Sequence, residues 1–312
     1  MAEPARLSRV AEPIPVARSA RPWKTSAAAW ALMPAWIIVV VAYIGTMIWT
    51  VVISFTGSKL LPVYNFVGFE QYARLFGSDR WQVSIWHLIV FGILFIACCL
   101  VIGFLLAVAL DQKIRFENTF RTIFLYPYSM SFIVTGLVWQ WLMNPTLGIQ
   151  TTVRNLGWTS FTFDWAVDSK MAIFALVIAA IWQSSGLVMA LMLAGLRGVD
   201  TELWKAAKID GIPTWRVYTS IILPILTPTI TTATVLLSIA VIKVYDLVVA
   251  LTNGGPGTAS EMPAKFVMDN LGARQNIGLA TAASTVMLIT VICVVTPWLY
   301  QTYFRAQKRR PA

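Results

Sequence analysis

The chain has 312 residues, of which 58% are hydrophobic and only 12% are charged. Soluble domains carry about 25% charged residues, so this composition excludes an ordinary soluble globule, and it also excludes a disordered chain, which needs the opposite balance. The net charge of +10 comes from basic residues scattered among short hydrophilic segments, which argues against a nucleic-acid partner and indicates a polytopic membrane protein in contact with lipid.

The N-terminal segment predicts a tail followed by an uncleaved span. Residues 1–26 are basic and interrupted by prolines, and they contain no apolar run of their own, so they predict a disordered cytoplasmic tail. The apolar run that follows is too long for the apolar region of a signal peptide, which needs about 7–15 residues.

Six stretches are long and apolar enough to cross a bilayer, which takes about 20 residues of helix. Only helices satisfy the backbone of such segments internally, so the predicted fold class is all-α with six transmembrane helices between residues 27 and 305. The predicted spans are about 29–55, 83–110, 120–143, 171–194, 220–250 and 279–304.

The distribution of lysine and arginine predicts the orientation. With the N-terminus inside, the inner segments hold sixteen of the 24 basic residues and the outer segments seven, with Lys243 inside a span. Because inner loops carry the excess of positive charge, both termini are predicted to be cytoplasmic, including a short basic tail at 306–312.

No catalytic or metal site is predicted. The three cysteines, Cys98, Cys99 and Cys293, lack a metal-binding spacing, and the single histidine, His87, opens an apolar segment. The sequence contains no Gly-Lys dipeptide, so a phosphate-binding P-loop is absent and the chain is predicted not to hydrolyse ATP.

The connection between the fourth and fifth spans, residues 195–219, is the most informative segment. Asp200 or Thr201 can cap a helix that carries Glu202 in its first turn, and Gly211 suits a left-handed C-terminal cap. This pattern predicts a helix–glycine–helix elbow on the cytoplasmic face. The alternative is a compact intracellular loop without a partner.

The run Ala206-Ala207-x-x-Asp210-Gly211, followed by Pro224 and Pro228, resembles the EAA loop of permease subunits in binding-protein-dependent ABC importers. The resemblance implies a fold like that of the maltose permease and a loop that docks in a cleft of a cytoplasmic ATPase. It assigns this coupling role to the following residues: Glu202, Lys205, Ala206, Ala207, Asp210 and Gly211. Lys205 departs from the motif, which usually has glutamate there.

Other segments resemble the carbohydrate-uptake branch of that family, and together the similarity extends from about residue 29 to 305. Residues 120–123, 139–145 and 251–256 are similar to its third span and to its outer loop after span five. Phrases at 61–64, 71–76 and 195–200 look most like glucose/mannose-type importers, which implies a hexose as cargo.

The resemblance also implies the partners and the location. These are a second, homologous permease, two copies of an ABC ATPase that carries ATP and Mg²⁺, and a soluble sugar-binding protein outside. No cofactor is expected on this chain. The implied location is a bacterial-type inner membrane.

Polar residues inside two spans predict the substrate path, because charges at membrane depth usually face a water-filled route or a partner. Lys243 and Asp246 are three residues apart and are expected on one helix face, close enough to pair. Sugars are held by hydrogen bonds and by aromatic faces, so the predicted path residues are Trp182, Gln183, Ser184, Lys243, Tyr245 and Asp246. The alternative is a structural pair near the outer interface, with Lys243 reaching to water.

The sequence argues against two other functions. An ion-coupled secondary transporter of a small polar solute would need internal repeats and intramembrane acids, and the chain offers only Asp246 beside a lysine. A membrane-embedded enzyme would need a catalytic cluster at membrane depth, and the sequence shows none.

Overall fold

The computed structural model describes residues 25–112 and 114–300. Most of the predicted N-terminal tail, the predicted tail at 306–312 and Lys113 lie outside the described residues. The predicted boundary of the first tail is two residues too late, because the first helix begins at Thr25. Within the described residues the only β contact is one antiparallel bridge between Thr56 and Phe66, so the all-α prediction is confirmed there.

The described residues form fifteen α-helices. They are α1 (Thr25–Ile38), α2 (Thr46–Ile53), α3 (Glu70–Phe76), α4 (Asp79–Asp111), α5 (Glu117–Leu125), α6 (Phe132–Leu142), α7 (Ile149–Asn155), α8 (Ala172–Arg197), α9 (Thr201–Ile209), α10 (Thr214–Arg216), α11 (Leu223–Ile225), α12 (Thr227–Ile242), α13 (Asp246–Leu251), α14 (Pro263–Leu271) and α15 (Ile277–Leu299). Two π-helical segments, Val39–Gly45 and Val217–Ile222, and a 3₁₀ turn, Tyr126–Ser129, join some of them.

Of the described residues, 25–48 form one compact unit and those from 49 to 300 form another. In the first unit, α1 continues through the π-helical segment to the start of α2 at Thr46, and the large apolar side chains of α1, such as Trp30 and Trp36, are exposed. A helix that exposes apolar side chains along its length is typical of a lipid-facing span.

In the second unit the core lies where α4 packs along α8. Gly103 permits this approach, because a Cβ atom there would lie 2.6 Å from Val188 Cγ1 and 3.0 Å from the Met189 nitrogen. The long central spans are therefore held by close helix packing, as expected for helices associating in lipid.

Four helices are long and apolar enough to cross a membrane, and up to six spans result if each of two bent pairs counts as one. The four are Trp30–Ile53, Asp79–Asp111, Ala172–Arg197 and Ile277–Leu299. They agree with four of the predicted spans to within a few residues over the described part of the chain.

The other two predicted spans, 120–143 and 220–250, are not continuous helices. The first bends by 100° between Glu117–Ser129 and Phe132–Leu142, and the second by 70° between Thr214–Ile225 and Thr227–Ile242. Pro127 lies in the 3₁₀ turn just before the first break, and Pro224 and Pro228 flank the second. Proline lacks the N–H that a helix interior requires, so the backbone breaks at these points.

Candidate functional site

The loop between α8 and α12 has the predicted elbow. The Asp200 side chain accepts a hydrogen bond of 2.9 Å from the Glu202 backbone N–H, so Asp200 is the N-cap of α9. Asp200 and Glu202 place negative charge at the helix N-terminus, where the backbone N–H groups are unpaired. The prediction of a helix capped by Asp200 or Thr201 is confirmed, with Asp200 as the cap and Thr201–Ile209 as the helix.

Gly211 ends α9 in a Schellman motif. Its φ is +67°, the Ile212 N–H donates to the Ala207 carbonyl at 3.0 Å, and the Gly211 N–H donates to the Lys208 carbonyl at 3.3 Å. A Cβ atom at Gly211 would meet nothing within 4 Å. Glycine is therefore required here by the left-handed backbone and not by crowding.

The outer surface of the elbow is exposed and mixed in character. Glu202 and Lys205 form an exposed ion pair of 2.9 Å on α9, and Ala206 and Asp210 are also exposed. Ala207 is buried against the core, so of the six predicted coupling residues it is the one that faces inward. Ile209, which is 85% exposed, was not among the predicted coupling residues, although an apolar residue on the polar side of a capped helix is visible in the sequence.

An aromatic chain joins the elbow to the long span α4. The ring centroid of Trp204 on α9 lies 5.3 Å from that of Tyr218, and Tyr218 lies 6.4 Å from Phe104 on α4. The Gln112 amide nitrogen is 3.4 Å from the Tyr218 hydroxyl. We refer to Trp204, Tyr218 and Phe104 as the aromatic chain.

An ion cluster ties the ends of three helices at the same level. Arg197 at the end of α8 donates to Glu117 on α5 at 2.5 Å and lies 4.0 Å from Asp111 at the end of α4. This cluster was not predicted, because Arg197 lies 80 residues from Glu117 in the chain and even farther from Asp111.

The predicted path residues on α8 occupy two environments. Gln183 and Ser184 are buried, whereas Trp182 is partly exposed and contacts Trp139 edge to face at 6.1 Å. The Gln183 amide nitrogen donates to the Met130 carbonyl at 2.8 Å, at the break before α6. Gln183 therefore links α8 to the bent segment.

Three buried polar atoms in this region have no hydrogen-bond partner in the described structure: Thr135 Oγ1, Trp139 Nε1 and Gln183 Oε1. Thr135 and Trp139 are four residues apart on α6 and therefore share a face. Buried polar groups are usually paired with protein or water, so unpaired ones indicate a place that water or a ligand can occupy. Thr135 and Trp139 were not among the predicted path residues.

The predicted geometry of Lys243 and Asp246 is wrong. Lys243 caps the end of α12, and Asp246 begins the separate helix α13, so the two residues do not share a helix face. Both are exposed, and in the part of the chain that the structure describes no ion pair joins them. The break at 243–245 interrupts the 3.6-residue repeat on which the prediction relied.

Tyr245 and Gln183 lie in different parts of the structure. It lines a shallow apolar cavity of about 310 Å³ with residues of α14 and α15, including Met268 and Ser284. The structure thus gathers the predicted path residues into two groups, one on α8 and one at the α12–α13 break. No hydrogen bond between the groups occurs among the described residues.

A buried charge cluster, also missed, joins α4 to α14. Arg80 lies 2.7 Å from Glu261 and contacts Asp269, and Lys265 lies 2.8 Å from the same carboxylate of Asp269. Burial alone would raise the pKa of Asp269, but the hydrogen bonds from Lys265 and Arg80 outweigh it and lower that pKa below its ordinary value.

Comparison with known proteins gives one family and several relatives. A family model described as "Binding-protein-dependent transport system inner membrane component" matches residues 99–309. A protein of Pyrococcus horikoshii named "Probable ABC transporter permease protein" is 36% identical over 274 residues, covering 87% of this chain and 94% of its own. The xylose/arabinose import permease protein of Haloferax volcanii is 33% identical over 255 residues, covering 80% of each chain.

Two solved structures share the fold. One is a bacterial ABC transporter involved in the import of the acidic polysaccharide alginate, with a TM-score of 0.75, 19% identity and coverage of 92% of this chain and 99% of that chain. The other is a bacterial alginate ABC transporter in complex with an alginate pentasaccharide-bound periplasmic protein, with a TM-score of 0.74, 21% identity and coverage of 91% and 97%.

Proposed function

The chain belongs to the family of binding-protein-dependent transport system inner membrane components, and from that premise we propose that it is the permease subunit of an ATP-driven sugar importer whose cargo is a hexose such as glucose or mannose. Relatives named for xylose/arabinose and trehalose/maltose transport support a carbohydrate as cargo. The hexose itself rests on the resemblance of three short phrases to glucose/mannose-type permeases.

The observation that carries the coupling role is the elbow at Gly211. A helix with a polar cap at one end and a Schellman motif at the other holds a fixed shape, and it presents Ile209 and Trp215 as large exposed apolar side chains on either side of Gly211. An exposed apolar patch rimmed by polar residues is typical of a docking site, and in this proposal Ile209 and Trp215 form such a patch on the elbow. The partner is a cytoplasmic ABC ATPase, present in two copies, which binds ATP and Mg²⁺.

Transport follows from this contact by alternating access. Closure of the ATPase pair on ATP moves the elbow. The aromatic chain transmits this movement to α4, and α8 moves with it because the loop follows directly from α8, whose last residue, Arg197, also contacts Asp111 of α4. Sugar arrives from a soluble binding protein on the other side of the membrane. A second, homologous permease completes the path.

In this proposal the sugar path is lined by polar residues on α6 and α8 and by those at the α12–α13 break. Gln183 offers an unpaired acceptor, Trp139 an unpaired donor, and Lys243 an exposed cation at a helix end. These groups can exchange hydrogen bonds with sugar hydroxyls. The bent segments count as spans in this proposal, which gives six spans with both termini in the cytoplasm of a bacterial-type inner membrane.

An ion-coupled secondary transporter is not supported. The family model describes a component of a binding-protein-dependent system, and the relatives described above are named as an ABC transporter permease protein and as a xylose/arabinose import permease protein. In such systems the ATPase supplies the energy, so this chain needs neither a P-loop nor a coupling ion.

The test is sugar-stimulated ATPase activity of the assembled complex. The chain is co-expressed with its partner permease, ATPase and binding protein and is reconstituted in lipid nanodiscs, with glucose, mannose, xylose and maltose as test sugars. Gly211→Val is the diagnostic variant, because a β-branched residue is strained at a φ of +67°. Gly68→Val is the matched control: its φ is +62° and its Cβ would also meet nothing within 4 Å.

We expect Gly211→Val to lose the stimulation or the bound ATPase, and Gly68→Val to keep both. Equal behaviour of the two variants would contradict the coupling role. Stimulation by xylose or maltose and not by glucose or mannose would support the sugar-import function but would contradict a hexose as the cargo.

A further inference from the structure

A second cavity, whose wall contains both polar and apolar residues, lies away from the predicted path residues, between the end of α6 and the end of α13. Its volume is about 340 Å³, and its wall includes Gln140, Trp141, Asn144 and Thr252, with Met143 and Ala166 among the apolar lining residues. Small-molecule sites usually measure about 300–1,000 Å³, so this cavity is at the lower end and fits one small ring.

The wall of the cavity contains side-chain amides that can form further hydrogen bonds, and one of these amides is held in a fixed position. The Asn144 side-chain oxygen accepts from the Thr146 N–H at 2.9 Å, the Thr146 hydroxyl at 2.8 Å and the Leu147 N–H at 3.0 Å. Its amide nitrogen has no partner among the described residues, and neither does the Gln140 side chain. Both amides can therefore bond a ligand without breaking an existing contact.

The turn that holds Asn144 is tightly built. A Cβ at Gly148 would lie 2.4 Å from the Leu142 oxygen and 2.5 Å from the Asn144 oxygen, so only glycine closes the turn this way. The amide is thereby preorganised, which reduces the entropic cost of binding.

Trp141 supplies an aromatic face beside these amides, and its side chain is 70% exposed. An exposed tryptophan near a span end is also typical of the membrane interface, where it anchors the helix in headgroups. Anchoring alone does not require two side-chain amides in the wall of the same cavity. An aromatic face next to amide donors and acceptors is the combination that recognises a pyranose ring, whose C–H face is apolar and whose rim is hydroxylated.

The cavity is at the opposite end of α8 from the elbow. Its Ala166 and Val167 precede the start of α8 at Ala172, whereas the elbow follows the end of α8 at Arg197. A helix of 26 residues is about 39 Å long, enough to cross the hydrocarbon core. If the elbow contacts the ATPase, the cavity opens on the side from which sugar is delivered.

We propose that this cavity is an entry subsite that receives one sugar ring before it reaches the groups on α8, with Trp141 stacking on the ring and Gln140 and Asn144 bonding its hydroxyls. This inference rests on the proposed sugar-import function. It adds three residues that neither the sequence analysis nor the family comparison assigns.

The test uses the complete complex in nanodiscs and a methyl glucoside that carries a photoactivatable diazirine, with free glucose, xylose and maltose as competitors. Labelled peptides are mapped by mass spectrometry. We expect an adduct within residues 140–148 that free sugar suppresses, and about a tenfold loss of that adduct in Trp141→Ala, the size expected for one aromatic contact. Trp141→Phe, which keeps an aromatic face, should retain most of it.

Trp86→Ala is the matched control, because Trp86 is 64% exposed on α4 and does not line the cavity. An equal loss of labelling in Trp86→Ala and Trp141→Ala would overturn the subsite and leave Trp141 as an interfacial anchor. A wild-type complex that transports sugar but is labelled only on α8 or near Lys243 would overturn the subsite alone. A wild-type complex that transports none of the sugars would overturn both proposals.

Discussion

Gln183 and Lys243 belong to the same predicted path but occupy opposite environments. Gln183 is 2% exposed and bonds the Met130 carbonyl, whereas Lys243 is exposed at a helix end. Residue type and hydropathy predicted that both interrupt apolar segments. Residue type and hydropathy could not predict that Gln183 supports the fold, because it does so through a hydrogen bond to Met130, which is 53 residues away in the chain.

Lys243→Ala tests the role of the exposed cation. Because Lys243 is exposed and has no ion-pair partner among the described residues, its removal should change the free energy of unfolding by less than about 0.5 kcal/mol. We expect the KM for sugar uptake to rise severalfold if Lys243 lines the path. Lys170→Ala, which also removes an exposed lysine, is the control, and uptake unchanged in both variants would remove Lys243 from the path.

Gln183→Leu tests the structural role of the buried amide. The substitution keeps the approximate size of the side chain but leaves the Met130 carbonyl without its donor, at a cost of about 1–3 kcal/mol. The midpoint of thermal unfolding of the purified complex should fall, with Ser185→Ala on the same helix as the control. A midpoint equal to that of the wild type would show that the hydrogen bond does not support the bend.

The lowered pKa of Asp269 predicts that the stability contributed by the charge cluster depends on pH. Its pKa is lowered in the folded state, so its stabilising contribution is fully present above the ordinary carboxyl pKa of about 4 and is lost as the pH falls through the lowered value. Thermal unfolding of the wild type should become easier below about pH 4. Asp269→Asn should flatten that dependence, whereas Asp210→Asn, at an exposed carboxylate, should not. Parallel pH profiles for all three proteins would contradict this assignment.

At the scale of elements, the straight spans were predictable and the bent ones were not. The helices α4 and α8 agree with the predicted spans 83–110 and 171–194, because long apolar runs without proline have only one satisfactory backbone in lipid. Pro127, Pro224 and Pro228 lie next to these bends, but a hydropathy pattern contains no bend angle. Angles of 100° and 70° depend on how the neighbouring helices pack, which the local pattern does not encode.

Substitution of Tyr218 tests the coupling between the helices α9 and α4. Tyr218→Leu should separate α9 from α4, because it removes the ring that contacts both Trp204 and Phe104. We expect severalfold less sugar transported per ATP hydrolysed while the ATPase still binds. Tyr218→Phe keeps both ring contacts and loses only the long hydrogen bond from Gln112, so its transport ratio should stay near that of the wild type. A normal ratio in Tyr218→Leu would show that the aromatic chain only packs the loop.

At the scale of the whole molecule, the proposals depend on which end of α8 faces the cytoplasm. The basic residues predict that the elbow is inside, and the elbow and the entry cavity lie at opposite ends of the same helix. Two residues mark these ends with almost equal exposure: Leu147, 87% exposed in the turn before α7, and Ile209, 85% exposed at the end of α9.

Leu147→Cys and Ile209→Cys, each in a variant whose three native cysteines are replaced by serine, therefore form a matched pair for labelling with a membrane-impermeant maleimide. Because a charged reagent cannot cross the hydrocarbon core, intact spheroplasts should label Leu147→Cys and should label Ile209→Cys only after permeabilisation. The cysteine-free variant gives the background. Labelling of Ile209→Cys in intact spheroplasts would show that the orientation in the membrane is the reverse of the predicted one. The elbow would then lie where no cytoplasmic ATPase can reach it.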